Sequence, residues 1–293
     1  MAEHVLKNDE LQIRVSDHGA ELRSLTKAGT GKEFMFQADP KYWGRTSPVL
    51  FPIVGGLWEN KYVYNNKTYE LPKHGFARDM DFKLVKESDD ELIFELKDTE
   101  DTLKVYPFKF SLKIGYKLNG SKVSITYNVI NENDDVIYFS IGAHPAFICD
   151  LNTDKLVFEK DGASVEGKLQ SNVIDMSSGC LSEKVIDIKT EGGVLTLEPE
   201  LFDEDALILE KRQADSVTII RKNNEDKIKV SFDAPLFGVW SPDKKNAPFV
   251  CIEPWNGRCD RVGFSHILEE REYGNKLNVG ESFKSTFSVE IIR

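Results

Sequence analysis

The sequence predicts an all-β protein, built as a large antiparallel β-sandwich. Three observations carry that expectation. Apolar residues recur at every second position in several stretches, polar turn residues break those stretches at short intervals, and helical periodicity is scarce. The 18 phenylalanines and 9 tyrosines add weight, because aromatic side chains suit half-buried strands.

Along the chain, Asn65-Asn66 and Ser88-Asp89-Asp90 are the first clear turn signals, and Leu92, Phe94 and Leu96 then alternate as a strand. The longest alternation runs Phe108, Phe110, Leu112, Ile114, Tyr116, Leu118. It ends at Asn119-Gly120, the pair that best tolerates the positive φ angles of a type I′ turn. Val123, Ile125, Tyr127 and Val129 alternate again, which predicts a long hairpin. Asn223-Asn224 marks a turn before Ile228, Val230 and Phe232, and the chain closes on Phe287, Val289 and Ile291. The best helical candidate is short and mostly charged, from Ile267 to Glu272. No repeat, low-complexity tract or Pro/Ser-rich linker divides the chain, so one domain over residues 1–293 is expected.

Composition narrows the function classes. A formal net charge of −11, from 49 acidic and 38 basic residues, offers neither nucleic acid nor an anionic membrane a basic footprint. The start Met1-Ala2-Glu3-His4 lacks a charged-then-apolar signal pattern, and no apolar run approaches the roughly 20 residues that span a bilayer. A cytoplasmic protein is expected. Cys149, Cys180, Cys251 and Cys259 are too scattered for a disulfide scaffold, and no Cys or His pair at ligand spacing suggests zinc. They read as reduced thiols without catalytic duty.

Three segments depart from the strand pattern by setting a titratable residue among Gly, Pro and aromatics, the kind of local inconsistency that marks functional sites. In Lys73-His74-Gly75-Phe76-Ala77-Arg78-Asp79, the His follows Pro72 and precedes Gly, which suits a rigid bend; a plain turn cap reads the same way. In Ser140-Ile141-Gly142-Ala143-His144-Pro145, the His stands at a strand end beside small residues, as a satisfied core His also could. In Phe249-Val250-Cys251-Ile252-Glu253-Pro254-Trp255, a carboxylate sits in an apolar run where burial is costly, so it is either paired to an Arg or poised as a base. Arg45, before Pro48 and an apolar run, is a candidate for a pocket, and Asp205 opens the strand Ala206-Leu207-Ile208-Leu209. His4, His18 and His266 lie in polar surroundings and receive no role.

The inventory is one carboxylate, two imidazoles and one or two guanidiniums. A G-x-S-x-G elbow, a phosphate-binding loop and an H-E-x-x-H pair are absent from the sequence. A glycosidase would want two facing carboxylates, and one stands out. The set suits proton transfer on a neutral polar substrate.

Together, His74-Gly75-Phe76, Gly142-Ala143-His144-Pro145, Cys251-Ile252-Glu253-Pro254-Trp255 and the opening Gly19-Ala20-Glu21-Leu22-Arg23-Ser24-Leu25 resemble the aldose 1-epimerases, the galactose mutarotases, especially their LacX-like branch. The resemblance spans nearly the whole chain. It implies a galactose mutarotase-like supersandwich binding a small aldose in a cleft on one sheet, without metal or organic cofactor. It further implies Glu253 as the general base at the anomeric hydroxyl, His144 as the acid at the ring oxygen, His74 as a substrate-binding His and Asp205 as an orienter of hydroxyls. Glu253 is then expected to be ionised and His144 protonated, each charge favouring the other. One departure concerns arginine. Relatives often read Ile-Val-Gly-Arg where this chain has Ile53-Val54-Gly55-Gly56, leaving Arg45 and Arg78 as the cationic substrate-binding candidates. A hexose-6-phosphate mutarotase and a non-catalytic carbohydrate-binding protein are the rival readings, with a glycosidase or polysaccharide lyase behind them. Oligomeric state is not legible.

Overall fold

Period-2 alternation becomes two large antiparallel sheets in the computed structural model, which describes residues 2–222 and 225–293. The expected turn at Asn223-Asn224 lies outside those residues. The ten-stranded sheet runs in the order Ala163–Ser164, Lys155–Lys160, Ser216–Ile220, Lys227–Phe232, Ser282–Ile292, Lys122–Asn131, Phe110–Asn119, Glu91–Lys97, Lys83–Glu87, with Val194–Thr196 also paired to Lys155–Lys160. Each alternating run read from the sequence is one of these strands, except that Phe108 precedes its strand, which begins at Phe110. The eight-stranded sheet runs Cys180–Lys189, Lys168–Asp175, Leu207–Leu209, Leu236–Trp240, Phe249–Asn256, Ile141–Ala143, Val49–Leu50, and Ala146–Ile148 also pairs with Phe249–Asn256.

Local expectations hold with two corrections. Asn65 and Asn66 both take positive φ, 47° and 58°, as a type I′ turn requires. In the long hairpin, however, Asn119 pairs with Lys122, so the turn is Gly120-Ser121, with Gly120 left-handed (φ 56°). Glycine at the first central position is the type II′ pattern, and the turn sits one residue later than Asn119-Gly120. The segment Ile267 to Glu272 forms only a 3-10 turn, Leu268–Glu270. The α-helix described is Glu100–Val105 instead, started by a capping box in which Thr99 and Thr102 exchange side-chain and backbone hydrogen bonds. Six residues are too few to display a 3.6-residue period, so alternation could not announce it.

Packing explains which face of the eight-stranded sheet is free for chemistry. Phe237, Val239, Val250 and Ile252 belong to the main core, where Phe237 meets Phe158 and Phe232 of the other sheet at ring separations of 6.2 and 5.0 Å. Complete burial of such a side chain stabilises the fold by about 1.5–3 kcal/mol. Successive strand residues point to opposite faces. With Val250 and Ile252 committed to the core, Cys251, Glu253 and Trp255 must face the other way, beneath the connecting loops. A three-stranded sheet, Glu3–Lys7, Leu11–Ser16 and Leu22–Lys27, docks alongside, tied by the Tyr116 hydroxyl donating to the Ala20 carbonyl at 2.6 Å.

Candidate active site

Glu253 and its neighbour Trp255 stand on a trough made by two glycines. Register sets Gly238 opposite Glu253 and Gly142 opposite Trp255 on the flanking strands. A Cβ at Gly142 would fall 2.5 Å from the Trp255 ring, and one at Gly238 would fall 2.6 Å from it. The indole therefore lies flat across both strands only because neither bears a side chain.

His144 leaves the strand Ile141–Ala143 next to this trough. Its Nε2 lies 3.3 Å from Glu253 Oε2. Trp43 stacks on the imidazole at 4.7 Å, and Trp240 meets it edge-on at 5.2 Å. His74 arrives from the segment between Leu71 and Arg78, bent sharply through left-handed φ angles of 72° at His74 and 69° at Gly75. Gly75 is required there, because a Cβ would meet the Phe51 carbonyl at 2.3 Å. The Gly55 N–H donates to His74 Nδ1 at 3.1 Å, which leaves the ring proton on Nε2 as a donor. The two imidazoles sit edge to face, 5.7 Å apart. His74 is thus both a turn-fixing group and a cavity wall.

These side chains line a cavity of about 300 Å³, closed on its aromatic side by Trp43, Trp240 and Trp255. Six buried side-chain polar atoms lack a hydrogen-bond partner among the described residues, and four of them belong to residues of this cavity: Glu253 Oε2, His144 Nδ1, Trp255 Nε1 and Arg78 Nε. Native proteins leave few such groups unmet. Their concentration at one cavity sets it apart from the rest of the described structure.

Charge states differ from the sequence expectation. Burial pushes the Glu253 carboxyl well above the usual range, the Asp205 charge adds to that, and Lys73 opposes it. Burial lowers His144 to about 3, with Lys73, Arg78 and Arg45 pushing the same way, and burial likewise holds His74 well below its ordinary value. The free site therefore favours a neutral carboxylic acid beside a neutral imidazole over an ion pair, because desolvating two charges outweighs their attraction at this spacing. The Trp255 N–H lies beside the carboxylate and favours its anion without forming a full hydrogen bond. One proton is held by the pair in either arrangement.

The remaining candidates divide. Asp205 lines the cavity in a left-handed conformation (φ 69°), 3.5 Å from Lys73 Nζ. Arg78 lines it too, its Nη2 donating to the Lys73 carbonyl at 2.8 Å. Arg45 does not: it binds Asp79 at 2.6 Å and acts on the imidazoles only through its charge. Gly56 also stands outside, packed so that a Cβ would lie 3.3 Å from the Gly179 carbonyl, in the turn joining Lys168–Asp175 to Cys180–Lys189. The sequence reading missed Trp43, Trp240 and Asp243 as cavity residues. Trp43 and Trp240 had a signal, a large aromatic beside turn-forming residues, that alternation does not score. His4, His18 and His266 pair with Asp17, Asp81 and Glu59 away from the cavity. Among the described residues, the group able to hold a metal ion is His144, Cys251 and Glu253, whose ligand atoms lie within 4.8 Å of one another.

Comparison with known proteins shows the family. The chain is 29% identical over 302 residues to the chromosomal protein LacX of Lactococcus lactis subsp. lactis, covering 98% of each. Its structure is similar to that of a galactose mutarotase related enzyme from Lactobacillus acidophilus, with TM-score 0.92, 34% identity, and coverage of 100% of this chain and 98% of that one. It is also similar to a galactose mutarotase-like protein from Lactobacillus casei, with TM-score 0.93, 29% identity, and coverage of 99% and 100%. The family model for aldose 1-epimerase matches residues 3–290, and the chain belongs to the aldose 1-epimerase family.

Proposed function

We propose that this protein is a mutarotase that interconverts the α and β anomers of an unphosphorylated hexose, residues 1–293 acting as one domain. The observation that carries the reading is the Glu253–His144 pair, 3.3 Å apart, on a hexose-sized cavity where the unmet polar atoms gather. A bound sugar supplies hydroxyls to those atoms. Transfer of the shared proton across the pair then gives carboxylate and imidazolium. Glu253 takes the proton of the anomeric hydroxyl while His144 donates to the ring oxygen, and the C1–O5 bond breaks to the open aldehyde. Rotation about C1–C2 presents the other carbonyl face, and closure reverses both transfers. His74 Nε2–H and Asp205 hold hydroxyls. Groups so placed contribute on the order of 10²–10⁴ in rate.

An unphosphorylated sugar is favoured because the two cations that line the cavity, Lys73 and Arg78, each already face a carboxylate. Lys73 faces Asp205, and Arg78 faces Asp79, a carboxylate it shares with Arg45 outside the cavity. A phosphate dianion would also meet Asp205 and Asp243, which line the same walls. Polarimetry on freshly dissolved α-glucose and α-galactose, beside glucose 6-phosphate, tests the reading. Faster anomer interconversion of the free sugars supports it. Preference for the phosphate would move the assignment to sugar phosphates, and binding without acceleration would make the protein a carbohydrate-binding module.

A further inference from the structure

Beneath the acid–base pair lies a buried group that mutarotation does not use. Cys251 precedes Glu253 by two residues on one strand, so both side chains take the same face. It is fully buried and packs with Phe36, Ala146, Ala247 and Phe249. Its Sγ completes the trio with His144 and Glu253 inside 4.8 Å, and no other such trio of His, Cys, Asp or Glu occurs among the described residues.

We propose that His144, Cys251 and Glu253 form a binding site for a soft divalent cation of the zinc class, whose occupation removes the acid–base pair from catalysis. Thiolate, imidazole and carboxylate are the three donor types that zinc takes. Bonds of about 2.0–2.2 Å to N and O set neighbouring donors of a tetrahedral ion roughly 3.3–3.5 Å apart. The His144–Glu253 pair already stands at 3.3 Å, while the trio as a whole spans up to 4.8 Å, so its side chains close by roughly 1 Å around the ion. Two further features fit. A dication held by one thiolate and one carboxylate is neutral as a unit, so no net charge is buried. His144 and Glu253 line the cavity, from which water or solute supplies a fourth ligand. Binding displaces the thiol proton and the proton shared by the pair into solvent, with no change of oxidation state. Among the described residues His144 Nδ1 has no partner to fix the ring from behind, which sets the affinity below that of a structural zinc site.

Cobalt(II) added to the full-length protein reads the site directly. Wild type should show the near-ultraviolet thiolate-to-cobalt charge-transfer band with tetrahedral visible bands, and zinc should abolish them. Saturating aldose should reduce the band, because sugar and metal compete for the same pair. Cys251→Ala should lose the band, bind zinc at least tenfold more weakly and retain mutarotation in chelator; Cys251→Ser provides a second variant should alanine impair folding. No charge-transfer band in wild type, or equal zinc affinity in wild type and a folded Cys251 variant, would overturn the proposal. The spectroscopic result stands even if mutarotation fails, whereas the competition with sugar rests on that reading.

Discussion

Two buried clusters of charged residues, a few residues apart in sequence, are built on opposite principles. Asp260 and Arg271 are 4% and 6% exposed, and their groups are matched: Arg271 Nε donates to Asp260 at 2.7 Å, Nη2 to the Arg258 carbonyl at 2.7 Å and Nη1 to Ser140, while the Trp58 N–H serves the other Asp260 oxygen at 2.9 Å. Glu253 is 1% exposed, and its Oε2 has His144 nearby but no formed hydrogen bond. The first cluster spends its polar groups on the fold and fixes the loop behind the cavity. The second leaves them unspent until a ligand arrives. Burial alone does not separate structural from functional charges; satisfaction does.

Substitution should separate the clusters. Arg271→Met leaves Asp260 buried without its cation and should cost about 3–5 kcal/mol of stability, measured by denaturant unfolding. A loss under about 1 kcal/mol would show the network to be dispensable and remove one half of the contrast. His144→Gln should leave unfolding stability nearly unchanged while lowering the enzyme-catalysed mutarotation rate by on the order of 10²–10⁴, read by polarimetry.

The pH dependence of stability sharpens the contrast further. Glu253 has a folded pKa raised above its unfolded value, so its contribution is fully present below about 4.5 and is lost as pH rises through the folded value. The stability of wild type relative to Glu253→Gln should therefore decline with rising pH inside that window, by up to about 1.4 kcal/mol per pH unit. His74 and His144 act in the opposite direction. Both are lowered from 6.5, so the folded state should lose stability as pH falls below that value, and His74→Gln should weaken the decline. A flat unfolding profile between pH 4.5 and 8 in both proteins would contradict the buried neutral pair. The smallest effect expected is at Trp43. Trp43→Leu removes the ring stacked on His144 and should lower the catalysed rate about tenfold, as loss of a desolvated cation–π contact of ~1–2 kcal/mol implies.

Much of this was legible because strand alternation is a local property. Every alternating run from Leu92 to Ile291 became a strand, and the same alternation, counted through Val250 and Ile252, sends Glu253 to the face opposite the core. The convergence of His74, His144 and Glu253 was readable only through resemblance, since no spacing rule links residues so distant in sequence. Three things stayed hidden for physical reasons. The Glu100–Val105 helix is too short to show a period. The partners of Arg45 and the packing of Gly56 depend on which loops meet in space. The charge state of the pair depends on desolvation, which pairwise attraction between named residues does not reveal.

The most direct test measures one variant twice. Glu253→Gln keeps the shape of the cavity but removes the proton acceptor and the buried acid together. The account predicts that polarimetry of fresh α-glucose or α-galactose loses its enzyme-catalysed phase, while unfolding at neutral pH shows a protein as stable as wild type or more so. A variant that still interconverts anomers at near-normal turnover, or one that unfolds as readily as Arg271→Met, would contradict it.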